Sequence, residues 1–315
     1  MHRLGAFLLL LLAFAASPAS AQKRIALTFD DVPRAAGAFL TPDERTRRLI
    51  AALRKARVRQ VAFFVNPGAL ADPVLGRAGE RHIADYVRAG HVIANHGDTH
   101  LKLSATDADT YIADVDRAEA WLRGRPGYRP WFRFPYLDEG GADKAKRDAI
   151  RRALAARSLS NGYVTAEASD WHLENLARTA KRAGKSIDME ALRDLYVESH
   201  VAAADAYDAL AVKAIGRSPV HVMLLHETDL AGLWIGDLVR ALRKDGWEIV
   251  SADRAYADPI AAEAARVDVP SAQGTLTEAL AWAAKLPPPR WYERNDTRVY
   301  DRLFAERVLH EKVMP

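Results

Sequence analysis

Two adjacent carboxylates, Asp30 and Asp31, end the apolar stretch Ile25-Ala26-Leu27-Thr28-Phe29. Neighbouring carboxylates repel, and each resists ionisation beside the other unless a cation relieves the repulsion. Further along, His91-Val92-Ile93-Ala94 runs into Asn95-His96, and His100 follows at i, i+4 from His96. One helical turn would place both imidazoles on the same side. Such a pair alone is more often two surface histidines. The preceding apolar strand and the Asp-Asp pair favour a metal instead. Two imidazoles and a carboxylate suit Zn2+, with Co2+ and Ni2+ as alternatives, and leave positions open for water and substrate. Asp31, His96 and His100 are the candidate ligands. Asp30 is then free to take a proton from a bound water.

Three more apolar runs end in polar residues. Phe132-Arg133-Phe134 offers Arg133 as the cation that holds Asp30 ionised and oriented. Tyr163-Val164-Thr165-Ala166 leads to Asp170-Trp171, and Val222-Met223-Leu224-Leu225 runs into His226. A histidine at the end of a buried strand can protonate a leaving group, and Asp170 can supply the negative charge that keeps it protonated. Five apolar runs that each end in chemistry-bearing residues point to one rim, because α/β barrels build their active sites where strand C-terminal ends meet.

The elements between these runs fit that geometry. β-like and helix-like stretches alternate from Ile25 to Ser251, which argues for a parallel sheet covered by helices. About seven strand candidates suggest a barrel, with an open sheet as the alternative. The helix from Thr41 to Lys55 carries its own start signal: Thr41 as N-cap, Pro42 next and Glu44 third. Strands are expected at 131–134 and 162–166, among others. Residues 259–315 read differently, with an Ala-rich helix, a Pro287-Pro288-Pro289 break and a charged tail. They are expected to pack on the barrel as a helical extension.

These residues resemble the polysaccharide deacetylases of the NodB-homology type, carbohydrate esterase family 4, over about residues 23 to 256. Thr28-Phe29-Asp30-Asp31, His96-Gly97-Asp98-Thr99-His100, Arg133-Phe134-Pro135-Tyr136, Asp170-Trp171 and Met223-Leu224-Leu225-His226 stand in the order of the family's five motifs. The resemblance implies a distorted (β/α) barrel. It implies Asp30 as base, Asp31, His96 and His100 as metal ligands, Arg133 orienting the base, and His226 as acid tuned by Asp170. It also implies that the Tyr136 N–H helps hold the oxyanion and that Trp171 and Leu224 line an acetyl pocket. Val32, Gly97 and Glu167 depart from the family's usual Gly, Ser/Thr and Asp. The stretch from His172 to Pro219 is long for a link between the last two motifs.

The expected function is metal-dependent removal of N-acetyl groups from amino-sugar polysaccharides or oligosaccharides. One alternative is an O-acetyl esterase on xylan-type glycans, or another amide hydrolase built on the same site. An alternative of a different class is a catalytically silent carbohydrate-binding protein. Trp131, Tyr136, Trp171 and Trp234 could stack on sugar rings, although Trp131 and Trp234 read as core.

Composition limits the rest. The 315 residues are 49% hydrophobic with a formal charge of +4, enough for one large domain with a real core. No cysteine is present, which excludes disulfides, thiolate ligands and a Cys nucleophile. Basic residues are spread along the chain without a long run, so no nucleic-acid partner is expected. Arg3, the apolar run Leu4 to Ala16 and Ala19-Ser20-Ala21 read as a cleavable export signal over residues 1–21. The run is shorter than the ~20 residues of a membrane-spanning helix, so an anchor ranks second. The expected organisation is a signal at 1–21, the deacetylase-like domain at 22–258 and the extension at 259–315. The protein would be periplasmic or secreted, act on an N-acetylated glycan, and not be inserted in a membrane after cleavage.

Overall fold

The structure is a computed structural model that describes residues 22–312; the expected signal, residues 1–21, lies outside the described residues. Nine strands follow in chain order: β1 (Arg24–Val32), β2 (Ala62–Val65), β3 (Val92–Asn95), β4 (Tyr128–Phe132), β5 (Asp138–Gly141), β6 (Ser160–Asn161), β7 (Val220–His226), β8 (Glu248–Ile249) and β9 (Ala272–Gln273). The main sheet is parallel throughout, in the order β6-β4-β3-β2-β1-β7, with β8 beside the start of β1.

The sheet curls toward closure through one segment. β6 pairs with β4, and a few residues later Ala166 bridges to Met223 of β7. Thr165 N–H donates to Val222 O at 2.9 Å, and Leu224 N–H donates to Ala166 O at 2.9 Å. The chain changes partner midway, so the strand expected at 162–166 cannot keep one ladder and is reduced to a short strand and a bridge. The strand expected at 131–134 instead occupies Tyr128–Phe132, ending before Arg133.

Strand alternation sorts the side chains. Ile25, Leu27 and Phe29 of β1 face the covering helices, in one core with Phe63, Val65, Met223 and Leu225. Their neighbours Ala26, Val222 and Leu224 belong to a different cluster, as do Ala62, Phe64, Val92, Ala94 and Trp131. The same parity carries Thr28 and Asp30, His96, Arg133 and His226 to the inward side. Phe29, Phe63 and Tyr86 stack in sequence, with centroids 5.1 and 3.9 Å apart. Each such buried ring contributes about 1.5–3 kcal/mol relative to exposure.

The helix Pro42–Lys55 has the expected capping box from Thr41 and Glu44. The long link before β7 forms two helices, Asp170–Arg182 and Met189–Ile215. Beyond Tyr256 the chain adds the helices Ala261–Ala264, Leu276–Ala283 and Thr297–Leu303. This extension is held to the barrel by specific bonds. β9 pairs antiparallel with β5, Leu276 N–H donates to Val164 O, and Thr277 Oγ1 donates to Thr165 O. No described helix is long and apolar enough to cross a membrane. Trp131 and Trp234 are both buried, as core residues should be.

Candidate active site

The candidate base is built into the inward face of β1. Asp30 is buried, and its Oδ1 accepts from Arg133 Nη1 at 2.6 Å. Arg133 is as buried as its partner, so an unpaired guanidinium there would be costly. Every arm is engaged. Nη1 also donates to Thr28 Oγ1, Nε to Gly162 O, and Nη2 to Tyr256 Oη at 2.6 Å, while the guanidinium lies 3.8 Å above the Phe64 ring. Tyr256 passes the chain of bonds on to Tyr163 O.

Asp31, His96 and His100 offer ligand atoms that all lie within 4.8 Å of one another. His96 Nδ1 lies 2.9 Å from Arg133 O. A carbonyl only accepts, so Nδ1 carries the proton and the Nε2 lone pair is free to coordinate. Asp31 Oδ1 is 3.0 Å from His100 Nε2 and 3.5 Å from His96 Nε2, yet it is buried without a hydrogen-bond partner among the described residues. A buried, orphaned carboxylate oxygen facing two imidazole nitrogens is the donor set of a divalent cation. Burial resists the Asp31 charge, but the two histidines, His226 and Arg34 together hold its carboxyl well below the usual range. Arg34 Nη1 donates to the second oxygen of Asp31 at 3.0 Å.

The histidine pair is not on a helix. Residues 96–100 form a turn, and His100 has φ 58°. The i, i+4 spacing therefore works through a left-handed backbone and not through a helical face. Asp31, Tyr136 and Ser169 also have positive φ, at 62°, 60° and 46°. Such conformations cost about 1–3 kcal/mol each and persist where surrounding structure imposes them. Here Asp114 imposes one: its carboxylate accepts from Asp98 N–H, Thr99 N–H and Thr99 Oγ1. Asn66 Nδ2 donates to the carbonyls of His96 and Gly97, and Asn95 Oδ1 accepts from Gly97 N–H. Gly97 itself has φ 74°, and a Cβ there would meet Asp114 Oδ2 at 2.9 Å. The hydroxyl that the family's usual Ser or Thr would bring is absent here; Thr99 and Asp114 brace the loop.

The candidate acid stands opposite. Asp170 accepts from the His226 N–H at 2.8 Å and contacts His226 Nδ1 at 2.7 Å. Nε2 is left for the pocket. Burial alone would lower the His226 pKa, but the Asp170 carboxylate and then Asp31 raise it to about 9.

A cavity of about 580 Å3 joins these groups: Asp30, the three ligand residues, Tyr136, Trp171, Leu224 and His226 all line it. Arg133 and Asp170 lie behind its wall. Trp171 and Tyr136 are exposed at the mouth, and Leu224 is buried. The wall also holds residues that sequence reasoning did not single out: Arg34, Asn175, Gln273, Gly274 and Asn295. Asn295 Nδ2 donates to Glu167 O, and its Oδ1 accepts from Ser169 Oγ at 3.2 Å. Burial, then the nearby Glu278, raises the Glu167 pKa to about 7. No motif marks the extension's residues: Gln273 and Gly274 arrive with the β5–β9 pairing, and Asn295 through its own bonds to Glu167 and Ser169.

No curated protein matches the chain. A chitin deacetylase structure from Colletotrichum lindemuthianum is similar at 18% identity and TM-score 0.51, covering 76% of this chain and 90% of that one. A family 4 carbohydrate esterase from Streptomyces lividans aligns at 20% identity and TM-score 0.47, over 74% of this chain and 95% of that one. A peptidoglycan deacetylase from Bacillus subtilis aligns at 16% and 0.46, over 74% and 90%. The family model for polysaccharide deacetylase matches residues 18–154, a segment that contains Asp30, Asp31, His96, His100 and Arg133. Asp170 and His226 lie beyond the matched segment, and the fold returns His226 to the same cavity with Asp170 behind it. Over residues 18–154 the chain is similar to the polysaccharide deacetylases.

Proposed function

We propose that the protein is a metal-dependent hydrolase that removes N-acetyl groups from an amino-sugar polysaccharide or oligosaccharide. The observation that carries this reading is the meeting, around one cavity, of a buried Asp30–Arg133 pair, three residues placed to hold a cation and a half-buried His226 backed by the buried Asp170. A divalent ion, Zn2+ by donor type with Co2+ or Ni2+ as alternatives, would polarise the acetyl carbonyl and acidify water when held by Asp31, His96 and His100. Asp30 takes the proton of the attacking water, kept ionised and aimed by Arg133. The Tyr136 N–H, on its left-handed turn, supports the oxyanion; one such donor contributes about 3 kcal/mol. His226 Nε2 gives its proton to the departing sugar nitrogen, with Asp170 holding the ring. Leu224 and Trp171 enclose the acetyl methyl. The residues form no covalent intermediate, consistent with a chain that lacks cysteine.

The reading includes export through the 1–21 signal, so mass spectrometry of the secreted protein would find Gln22 first. The test of activity is acetate release from N-acetylated glycans and from acetylated xylan, with Zn2+, Co2+ or Ni2+ added. Acetate and free amine from the amide substrates support the proposal. Release from xylan alone would make the protein an O-acetyl esterase, and glycan binding without release would make it a binding protein.

A further inference from the structure

Among the helices that end on the face opposite the catalytic rim, three are neighbours, the first packing against both of the others. In each β-α unit the helix starts where its strand delivers the site and runs back to the start of the next strand. Pro42–Lys55, Gly76–Arg88 and Asp229–Lys244 therefore finish together, beside the starts of β2, β3 and β8. Arg47, Arg54, Arg57, Arg59 and Arg88 line a groove of about 940 Å3 there, with Asp85 its one carboxylate. Arg57 also lines a neighbouring groove of about 490 Å3 with Lys55, Arg240 and Arg243, where Asp237 is the one carboxylate. Both carboxylates are already paired, Asp85 with Arg88 and Asp237 with Arg240. The five arginines of the larger groove are all exposed.

That concentration is unlike the molecule as a whole, in which 45 basic residues stand against 41 acidic ones. Exposed cations crowded at one face repel one another, and an opposing negative surface relieves the repulsion. Guanidinium groups match phosphate oxygens through paired hydrogen bonds. One small phosphate would not cover two adjoining grooves, whereas a plane of phosphate headgroups would. Ile50, Ala51 and Val58 are the groove's main apolar members, too little apolar surface for insertion. We propose that this face docks the protein peripherally on an anionic phospholipid surface, with the catalytic rim turned away toward glycan. The proposal is independent of the catalytic reading.

Sedimentation of the full chain with lipid vesicles tests it. Vesicles with ~30 mol% phosphatidylglycerol should carry the protein down, neutral phosphatidylcholine vesicles should not, and ~0.5 M salt should release it. The triple variant R54Q/R57Q/R88Q should bind at least about tenfold more weakly, with an unchanged circular dichroism spectrum. Failure of the wild-type protein to bind the anionic vesicles would overturn the proposal. So would equal binding by the triple variant, or capture of soluble polyphosphate without vesicle binding.

Discussion

Asp30 and Asp31 are chemically identical neighbours with different surroundings. Asp30 is inside, held by Arg133; Asp31 turns on a left-handed residue toward two imidazoles. The Asp30→Asn change preserves shape, so metal content should stay at one ion per chain while turnover falls about 10²-fold or more. Loss of the metal in that variant would reverse the assignment of base and ligand. On the proposed mechanism, the histidine across the cavity sets the pH dependence. Its acid form is needed, and its pKa is raised to about 9, so activity should fall as pH rises through that region. A bound cation opposes the imidazolium and moves this limb to lower pH. Asp170→Asn removes the main stabilising charge and should shift the alkaline limb to lower pH still. A pH-rate profile unchanged by Asp170→Asn would remove His226 from the role of acid.

At the scale of elements, the loop from His96 to His100 shows how a spacing can bring two residues together by a geometry other than the one it suggests. His96 and His100 were legible from spacing after an apolar strand, but the turn between them is left-handed at both Gly97 and His100. Local pattern cannot show that, because Asp114 on the helix Ala108–Leu122 holds the turn. Gly97→Ser would restore the residue type usual in the family, yet here it should harm. A side chain at φ 74° costs about 1–2 kcal/mol, and its Cβ presses on Asp114. Metal titration should show binding weakened by about tenfold. Affinity at or above the wild-type level would mean that Asp114 does not set the loop. The strand ends, in contrast, were legible because period-two alternation is local. It sends Asp30, His96 and His226 inward and their apolar neighbours outward. Arg133 follows the last residue of β4, and it reaches Asp30 directly while also bonding Thr28. Tyr256 was invisible in sequence, since nothing near it hints at Arg133.

The whole molecule adds what neither residues nor elements suggest. The extension after Tyr256 reads in sequence as packing, but Gln273, Gly274 and Asn295 line the cavity. Asn295→Ala should raise KM for glycan oligomers several-fold, about 1 kcal/mol for a lost hydrogen-bonding group, while leaving a small activated acetyl ester nearly unaffected. Equal effects on both substrates would assign Asn295 a purely structural part. The arginines of the opposite face were equally illegible, being scattered from Arg47 to Arg243 until the helix ends bring them together. The central claim concerns the rim: that this constellation hydrolyses N-acetyl groups with a bound cation. The most direct measurement is acetate released from N-acetylglucosamine oligomers by Zn2+-loaded protein, alongside the Asp30→Asn variant at equal metal content. The account predicts acetate and free amine in equal amounts from the wild-type protein, and at least about 10²-fold less from the variant. Equal release by both proteins, or no release from any N-acetylated glycan by metal-loaded wild type, would contradict it.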